Sequence, residues 1–338
     1  MNKKLIGKVK SKLNIIILIF ITLLVLYFSL KDDYQTIINN ILSINKYWFL
    51  VSILCLLLSY VLKIFIMRNL VRKFKKKYQF KKASTIVLST QFFNAVTPFA
   101  SGGQPFQIYT LNQQGIKISQ ASNVTIQYSI ITQISLIIVS TIAIILNNSN
   151  IYIHQDTILN KLIILGYTVN VVVIAVLFLL AFGKNTNSYI LKLILKILKK
   201  LKLVKNYEDN LVYWNKNLTE FHKSAEILLK NKFDFLRNIF LCVLALIILY
   251  SIPYFLALAM SLDISLVASV TITSYVMLIG SFIPIPGGTG GIEYGFVQFF
   301  SVLVTGAHLS SLLILWRFIT YYLGMIIGAI AFNIQRRD

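Results

Sequence analysis

Pro284-Ile285-Pro286-Gly287-Gly288-Thr289-Gly290-Gly291-Ile292-Glu293 decides the fold of this 338-residue chain. The stretch interrupts an apolar segment, Ile264–Gly306, that a helix would otherwise fill. Proline lacks a backbone donor and stops a helix. Glycine admits φ > 0, so the chain can turn back within a few residues. The arm that follows, Ile292–Thr305, is shorter than the roughly 20 residues a spanning helix needs. The segment therefore reads as a helical hairpin that dips into a membrane and returns. A second apolar segment, Ala83–Leu111, is broken in the same way by Thr97-Pro98 and Gly102-Gly103-Gln104-Pro105. Thr97-Pro98 followed by Gly102-Gly103 parallels Pro284 followed by Gly287-Gly288.

Working outward, six uninterrupted apolar runs are long enough to cross a bilayer: Leu13–Leu30, Tyr47–Ile66, Ala121–Leu146, Leu162–Phe182, Phe235–Met260 and Leu309–Phe332. Composition agrees. The chain is 57% hydrophobic and 13% charged, with a mean hydropathy of +0.74, whereas a soluble domain is about 45–50% apolar and about 25% charged. Disorder, collagen-like repeats and a disulfide scaffold are excluded, and an ordinary soluble enzyme does not fit. Cys55 and Cys242 sit inside apolar runs and make no disulfide or zinc framework. The first run lacks a small-residue cleavage site and reads as a retained span rather than a signal peptide.

The net charge is +22. Five basic residues in Met1–Lys12, nine in Lys63–Lys82, twelve in Lys184–Arg237, and Arg336 with Arg337 make up most of the 33 Lys and Arg. Clusters between apolar runs are the positive-inside pattern, not a nucleic-acid surface. Both termini are then cytoplasmic, with Lys31–Lys46, Asn147–Lys161 and Leu262-Asp263 outside. The chain is inside at Lys82 and must be inside again before Ala121, so the first hairpin enters from the cytoplasm. The second segment either enters from the opposite face or crosses twice, and its short second arm favours the hairpin. The expected fold is an all-α polytopic membrane protein, residues 1–338 as one domain. It is an inverted-repeat helical bundle of six full spans and two broken hairpins. Half one covers 13–146 and half two covers 162–332. A basic cytoplasmic linker, 183–235, falls inside half two. In it Lys192, Lys196, Lys199 and Lys200 share one helical face, with Leu193, Ile194 and Ile197 opposite, as in a helix lying on the inner leaflet. The part after Asn206 is read either as more of this surface element or as a solvated connector.

Inverted halves with Gly/Pro-broken segments at matching places point to a transporter binding site near the midplane. Each half-helix starting after a Gly-Gly pair would aim free N–H groups and a positive dipole end at an anion. Two ionisable residues fall at membrane depth, Glu293 and Arg317, and are expected to share one cavity, as ligand groups or as a structural ion pair. Half one is polar but uncharged there: Gln91, Asn94, Ser101, Gln104 and Gln107, then Gln127 and Gln133. His154, His222 and His308 are scattered and read as solvated or interfacial. No hydrolytic triad, metal motif or phosphate-binding loop appears, so no catalytic residue, metal or cofactor is assigned.

The run Thr97-Pro98-Phe99-Ala100-Ser101-Gly102-Gly103-Gln104-Pro105-Phe106-Gln107-Ile108-Tyr109 with Gly115, the Pro284–Glu293 run, and Arg317-Phe318-Ile319-Thr320-Tyr321-Tyr322 carry a resemblance. In order and over nearly the whole chain, they resemble three signatures of the lysylphosphatidylglycerol synthase transmembrane-region family. This is the flippase-like membrane domain of the bacterial multiple peptide resistance factor. The resemblance implies a multi-pass protein of the bacterial inner membrane that moves anionic or aminoacylated phospholipid, in a setting of cationic-peptide resistance. It also implies a separate lipid-modifying enzyme or domain and a homodimer. The substrate-binding residues expected on these motifs are Thr97, Pro98, Gly102, Gly103, Gln104, Gln107, Pro284, Pro286, Gly287, Gly288, Glu293, Arg317 and Tyr321. Two other readings stand beside it. One is a phosphatidylglycerol lysyltransferase or its membrane subunit, although no soluble catalytic domain is visible. The other is a small-solute transporter of the same design.

Overall fold

The computed structural model describes residues 34–150, 157–200, 207–281 and 283–335. The first expected span, Leu13–Leu30, lies outside them. The described residues are helical throughout, with no strand. The elements are α1 (Tyr34–Leu42), α2 (Lys46–Arg72), α3 (Phe80–Ala95), α4 (Gly103–Gln113), α5 (Ile118–Asn150), α6 (Thr157–Phe182) and α7 (Lys184–Lys200). They continue with α8 (Tyr207–Leu229), α9 (Lys232–Tyr250), α10 (Ile252–Ala259), α11 (Leu266–Gly280), α12 (Gly291–Phe300), α13 (Gly306–Arg317) and α14 (Gly324–Gln335).

Five of the six expected spans are present as helices long and apolar enough to cross a membrane. They are Lys46–Arg72, Ile118–Asn147, Ile158–Phe182, Lys232–Ala259 and Gly306–Gln335. The fourth is α9 and α10 joined at Ser251, where Pro253 opens the new helix and withholds one backbone donor. The fifth is α13 and α14 joined by a π turn, Phe318–Leu323. Large aliphatics stay exposed along these spans: Leu50, Leu54 and Leu58 on α2, and Leu165, Val172 and Val176 on α6. In water such a band would not persist bare; in hydrocarbon it is the solvent-facing surface.

Both broken segments fold back on themselves. In the first, Gln107 Nε2 on α4 donates to Thr90 Oγ1 on α3 at 3.2 Å, and Gly103 N donates to Asn94 Oδ1 at 3.0 Å. These pairs set an antiparallel register. At the base, Lys75 Nζ donates to the Gln114 carbonyl at 2.9 Å, and the Tyr78 hydroxyl donates to Gln114 Oε1. The chain thus leaves the hairpin where it came in. In the second, Tyr275 on α11 faces Phe299 on α12, ring centroids 5.9 Å apart. Phe296 stacks on Phe300 at 4.2 Å and on Trp316 of α13 at 4.7 Å. The main core forms around this second hairpin, with Leu56 and Tyr60 of α2 and Leu256 of α10. A second core, with Met67, Val87, Leu111 and Val124, binds the first hairpin to α2 and α5.

The segment after Asn206 is no solvated connector. It forms α8, which docks on α5 and on the end of α6. The Asn123 amide donates to the Phe221 carbonyl at 2.5 Å. His222 Nδ1 lies 3.2 Å from the Ala181 carbonyl, and His222 is buried, against the expectation of a solvated histidine. The short polar contact with a helix end explains why: His222 of α8 meets the Ala181 carbonyl, one of the last of α6.

Candidate functional site

The two hairpins meet at their tips: the turn Pro98–Ala100 packs against the turn Pro286–Gly288. The turns run alike from Thr97 to Ala100 and from Ile285 to Gly288, and part at the next residue, where ψ is −15° at Ser101 and 139° at Thr289. Thr97 and Ile285 are extended, at φ −120° and −109°. A proline follows each. Then Phe99 and Ala100 lie at φ 54° and 50°, and Gly287 and Gly288 at 67° and 62°. The Ser101 hydroxyl donates to the Pro98 carbonyl, and the Thr289 hydroxyl to the Pro286 carbonyl, each at 2.9 Å. Gly102-Gly103 then opens α4, and Gly290-Gly291 opens α12. The structural correspondence is therefore Pro98 with Pro286 and Gly102-Gly103 with Gly290-Gly291. It is not Pro98 with Pro284, as counting prolines and glycine pairs suggests. The same register carries on, placing Ile118 on Gly306 and Ser129 on Arg317.

The helix starts are not bare. Gly102 N donates to Thr97 Oγ1 at 2.9 Å, and Gly103 N to Asn94 Oδ1. Gly290 N donates to Glu293 Oε2 at 2.6 Å, where a carboxylate also complements the positive end of α12. Side-chain oxygens of the hairpins themselves thus occupy three of the donors expected to await an anion.

Glu293 and Arg317 come together. Arg317 Nε donates to Glu293 Oε1 at 2.6 Å, and Nη2 donates to the Gly287 carbonyl at 3.1 Å. Both residues are 7% exposed. The guanidinium also lies over the Tyr321 ring, 4.7 Å from its centroid. The Tyr321 hydroxyl reaches across to the other hairpin and donates to the Ala95 carbonyl at 3.0 Å. One network thus joins Gly287, Glu293, Arg317 and Tyr321, and Ala95 ties it to hairpin one. Arg317 and Tyr321 share a face because they lie four residues apart on one helix, which widens into a π turn directly after Arg317, a feature frequent at functional positions. A buried pair satisfied on both sides is neutral as a unit, and removing one partner strands the other.

The remaining expected residues surround this network. Pro98, Ser101, Gln104 and Pro284 are exposed, while Gly103, Gln107 and Gly288 are buried. Gln104 Nε2 donates to Ser129 Oγ on α5 at 3.2 Å. That is the neutral counterpart, one residue displaced, of the bond between Glu293 and Arg317. Gln107 is held between the arms of its own hairpin by Thr90. Pro286 sits half-buried at the tip contact. Gln133 follows Ser129 by four residues, as Tyr321 follows Arg317, and its Oε1 is buried with no hydrogen-bond partner among the described residues.

One residue escaped the sequence reading. Lys63, counted there with the cytoplasmic cluster, sits inside α2 with its ammonium 5.9 Å from the Tyr60 ring centroid. Its signal was its place within an apolar run, five residues ahead of Arg68. Among the described residues no group of three or more His, Cys, Asp or Glu could hold a metal ion.

Crossing helices, lipid-facing aliphatics and two interrupted hairpins that meet at their tips define a multi-pass helical membrane protein. The sequence matches the family described as Lysylphosphatidylglycerol synthase TM region over residues 14–328, and the chain belongs to that family. It is similar to a UPF0104 membrane protein of Archaeoglobus fulgidus, 22% identical over 73% of this chain and 74% of that one. An uncharacterized protein of Mycoplasma genitalium is 24% identical over 94% of this chain and 86% of its own. One of Mycoplasma pneumoniae is 22% identical over 93% and 85%.

Proposed function

We propose that the protein translocates anionic or aminoacylated phospholipid between the leaflets of a bacterial cell membrane, with the meeting hairpin tips as the head-group site. The observation that carries this reading is the contact of two broken turns that run alike inside a bundle of spans. Irregular backbone at that depth is tolerated where protein or a wet cavity surrounds it. Membership of the family supports lipid as the cargo. The halves are inverted, with both termini cytoplasmic, and each hairpin opens to its own side.

The exposed tip of hairpin one supplies neutral donors, Ser101 and Gln104, beside Thr97, Pro98 and Gly102. Tip two supplies charge. In the closed arrangement Arg317 is taken by Glu293 and the Gly287 carbonyl. A phosphate entering between the tips replaces Glu293 as the partner of Arg317, and Glu293 is left to receive a cationic aminoacyl group. Separation of Tyr321 from Ala95 opens the junction, flanked by Pro284, Pro286 and Gly288. Acyl tails stay in the bilayer. The partners of this reading are the phospholipid, a separate lipid-modifying enzyme and a second copy of the chain.

The test is leaflet-resolved transfer of labelled phosphatidylglycerol and lysylphosphatidylglycerol in vesicles holding the reconstituted protein. Wild type accelerates transfer, and Gln104→Leu and the paired substitution Glu293→Gln with Arg317→Met abolish it. Transfer no faster than in empty vesicles, or full transfer by both variants, overturns the reading. Sidedness is checked separately: cysteines replacing Lys77 and Val302, at the bases of the two hairpins, should label from opposite faces.

A further inference from the structure

The helix α7 presents an exposed face of a defined chemistry, with the Lys199 ammonium 5.4 Å from the Tyr207 ring centroid. Ile190, Leu193, Ile194 and Ile197 are 41%, 47%, 48% and 50% exposed. Leu195 is the one buried residue of the helix, on the side that packs against α8. Lys192, Lys196, Lys199 and Lys200 are exposed, and at 100° per residue they share a face next to the aliphatic one. Lys184–Lys200 contains no acidic residue. Among the described residues no carboxylate pairs with any of these four lysines.

The placement of α7 is built, not loose. It starts one residue after α6, a candidate span. A Cβ on the intervening Gly183 would meet the Leu179 carbonyl at 2.5 Å, so glycine allows the break. The Asn187 amide donates to the Leu180 carbonyl at 2.7 Å, and Lys184 pairs with Glu226 of α8 at 2.7 Å. The exposed band of α6, including Val176, Leu179 and Leu180, leads directly to this junction. A helix tied to the end of a span, aliphatic on one exposed face and cationic on the next, sits at head-group level. A second copy on the same face by two-fold symmetry would bring lysine against lysine, which argues for an anionic occupant.

We infer that α7 is a second lipid site, distinct from the hairpin tips: an interfacial anchor that lies in the head-group layer and binds anionic phospholipid through Lys192, Lys196, Lys199 and Lys200. Its aliphatic face enters the acyl boundary, and its lysines gain from the negative surface potential of that leaflet.

The experiment is hydrogen exchange across α7 in the full chain, reconstituted in phosphatidylcholine vesicles with and without phosphatidylglycerol. Phosphatidylglycerol should slow exchange in Lys184–Lys200 on the order of tenfold, since the helix opens locally only when it leaves the surface. The quadruple Lys→Gln variant at 192, 196, 199 and 200 should lose that lipid dependence while α6 exchanges as in wild type. A second variant, Ile194→Glu, should expose α7 in both lipids. Equal exchange in the two vesicles, or lipid dependence that survives the quadruple substitution, overturns the proposal. So does protection that grows with protein concentration in lipid-free detergent, which assigns the face to a second copy. None of these readouts depends on lipid transfer, so failure here and failure of the translocation reading are distinguishable.

Discussion

In the turn Pro98–Ala100 the two left-handed positions are Phe99 and Ala100; in the turn Pro286–Gly288 they are Gly287 and Gly288. The backbone is shared, but the means of holding it are not. An L-residue in that region costs roughly 1–2 kcal/mol, so hairpin one keeps its shape under strain, restrained by neutral bonds from Thr97 and Asn94. Hairpin two is free of that strain and is restrained by charge, through Glu293, Arg317 and Tyr321. Tip one is exposed at Pro98, Phe99, Ala100 and Ser101, whereas Gly288 and Thr289 of tip two are buried. The comparison teaches that one turn geometry can be kept while its chemistry is divided. One tip is held neutral and open, and the other charged and enclosed.

The largest expected effect breaks the charged side. Glu293→Gln leaves Arg317 buried without its counter-ion and should cost about 3–5 kcal/mol, read as a fall in thermal midpoint in nanodiscs. Adding Arg317→Met should recover most of that loss. Recovery of stability without recovery of lipid transfer would separate the structural role of the pair from its functional one. Next, Gly287→Ala places a Cβ against the Tyr321 ring and adds the left-handed penalty, for a loss of about 1–3 kcal/mol. The converse change at the second left-handed position of hairpin one, the counterpart of Gly288, has the opposite sign. Ala100→Gly relieves strain and should raise the midpoint by up to about 1 kcal/mol in equivalent stability. Both substitutions destabilising by similar amounts would refute the shared turn geometry.

Thr97→Val removes a neutral cap and should cost about 1 kcal/mol, well below Glu293→Gln. Equal losses at the two positions would erase the distinction between the tips. The smallest effect belongs to the solvent-exposed pair of Lys184 with Glu226. The hydrogen bond from Lys184 holds the Glu226 carboxyl below the ordinary carboxylate range. Its contribution is therefore present above that range and is lost as pH falls through the lowered value. Because the carboxyl is open to water, Glu226→Gln should leave the unfolding midpoint unchanged at neutral pH and flatten only a slight acid dependence.

Much of this was legible in the chain. Apolar length alone located the five described spans to within a few residues, because hydrocarbon thickness sets a minimum run that few other structures require. Gly/Pro punctuation located both hairpins, since proline combined with glycine pairs favours a turn, whereas the lone Pro253 only interrupts a span. The glycine pairs misled about which turn positions correspond, because Phe99 and Ala100 adopt a conformation that composition does not advertise. The caps were equally hidden. Thr97, Asn94 and Glu293 satisfy backbone donors three to nine residues away, and that choice depends on how the arms lie. Lys63 was masked by the basic cluster that follows it.

By itself, the sequence determined that the chain is a helical membrane protein with two interrupted hairpins and a charged residue on each of two distant segments. Burial in lipid demands long apolar helices and forbids unpaired backbone, so composition and punctuation suffice for that much. Only the tertiary structure decided that the turns meet, that Glu293 and Arg317 neutralise one another beneath Tyr321, and that tip one stays open. Those outcomes depend on packing between segments far apart in the chain, and no local pattern of residue types encodes a distance across the bundle.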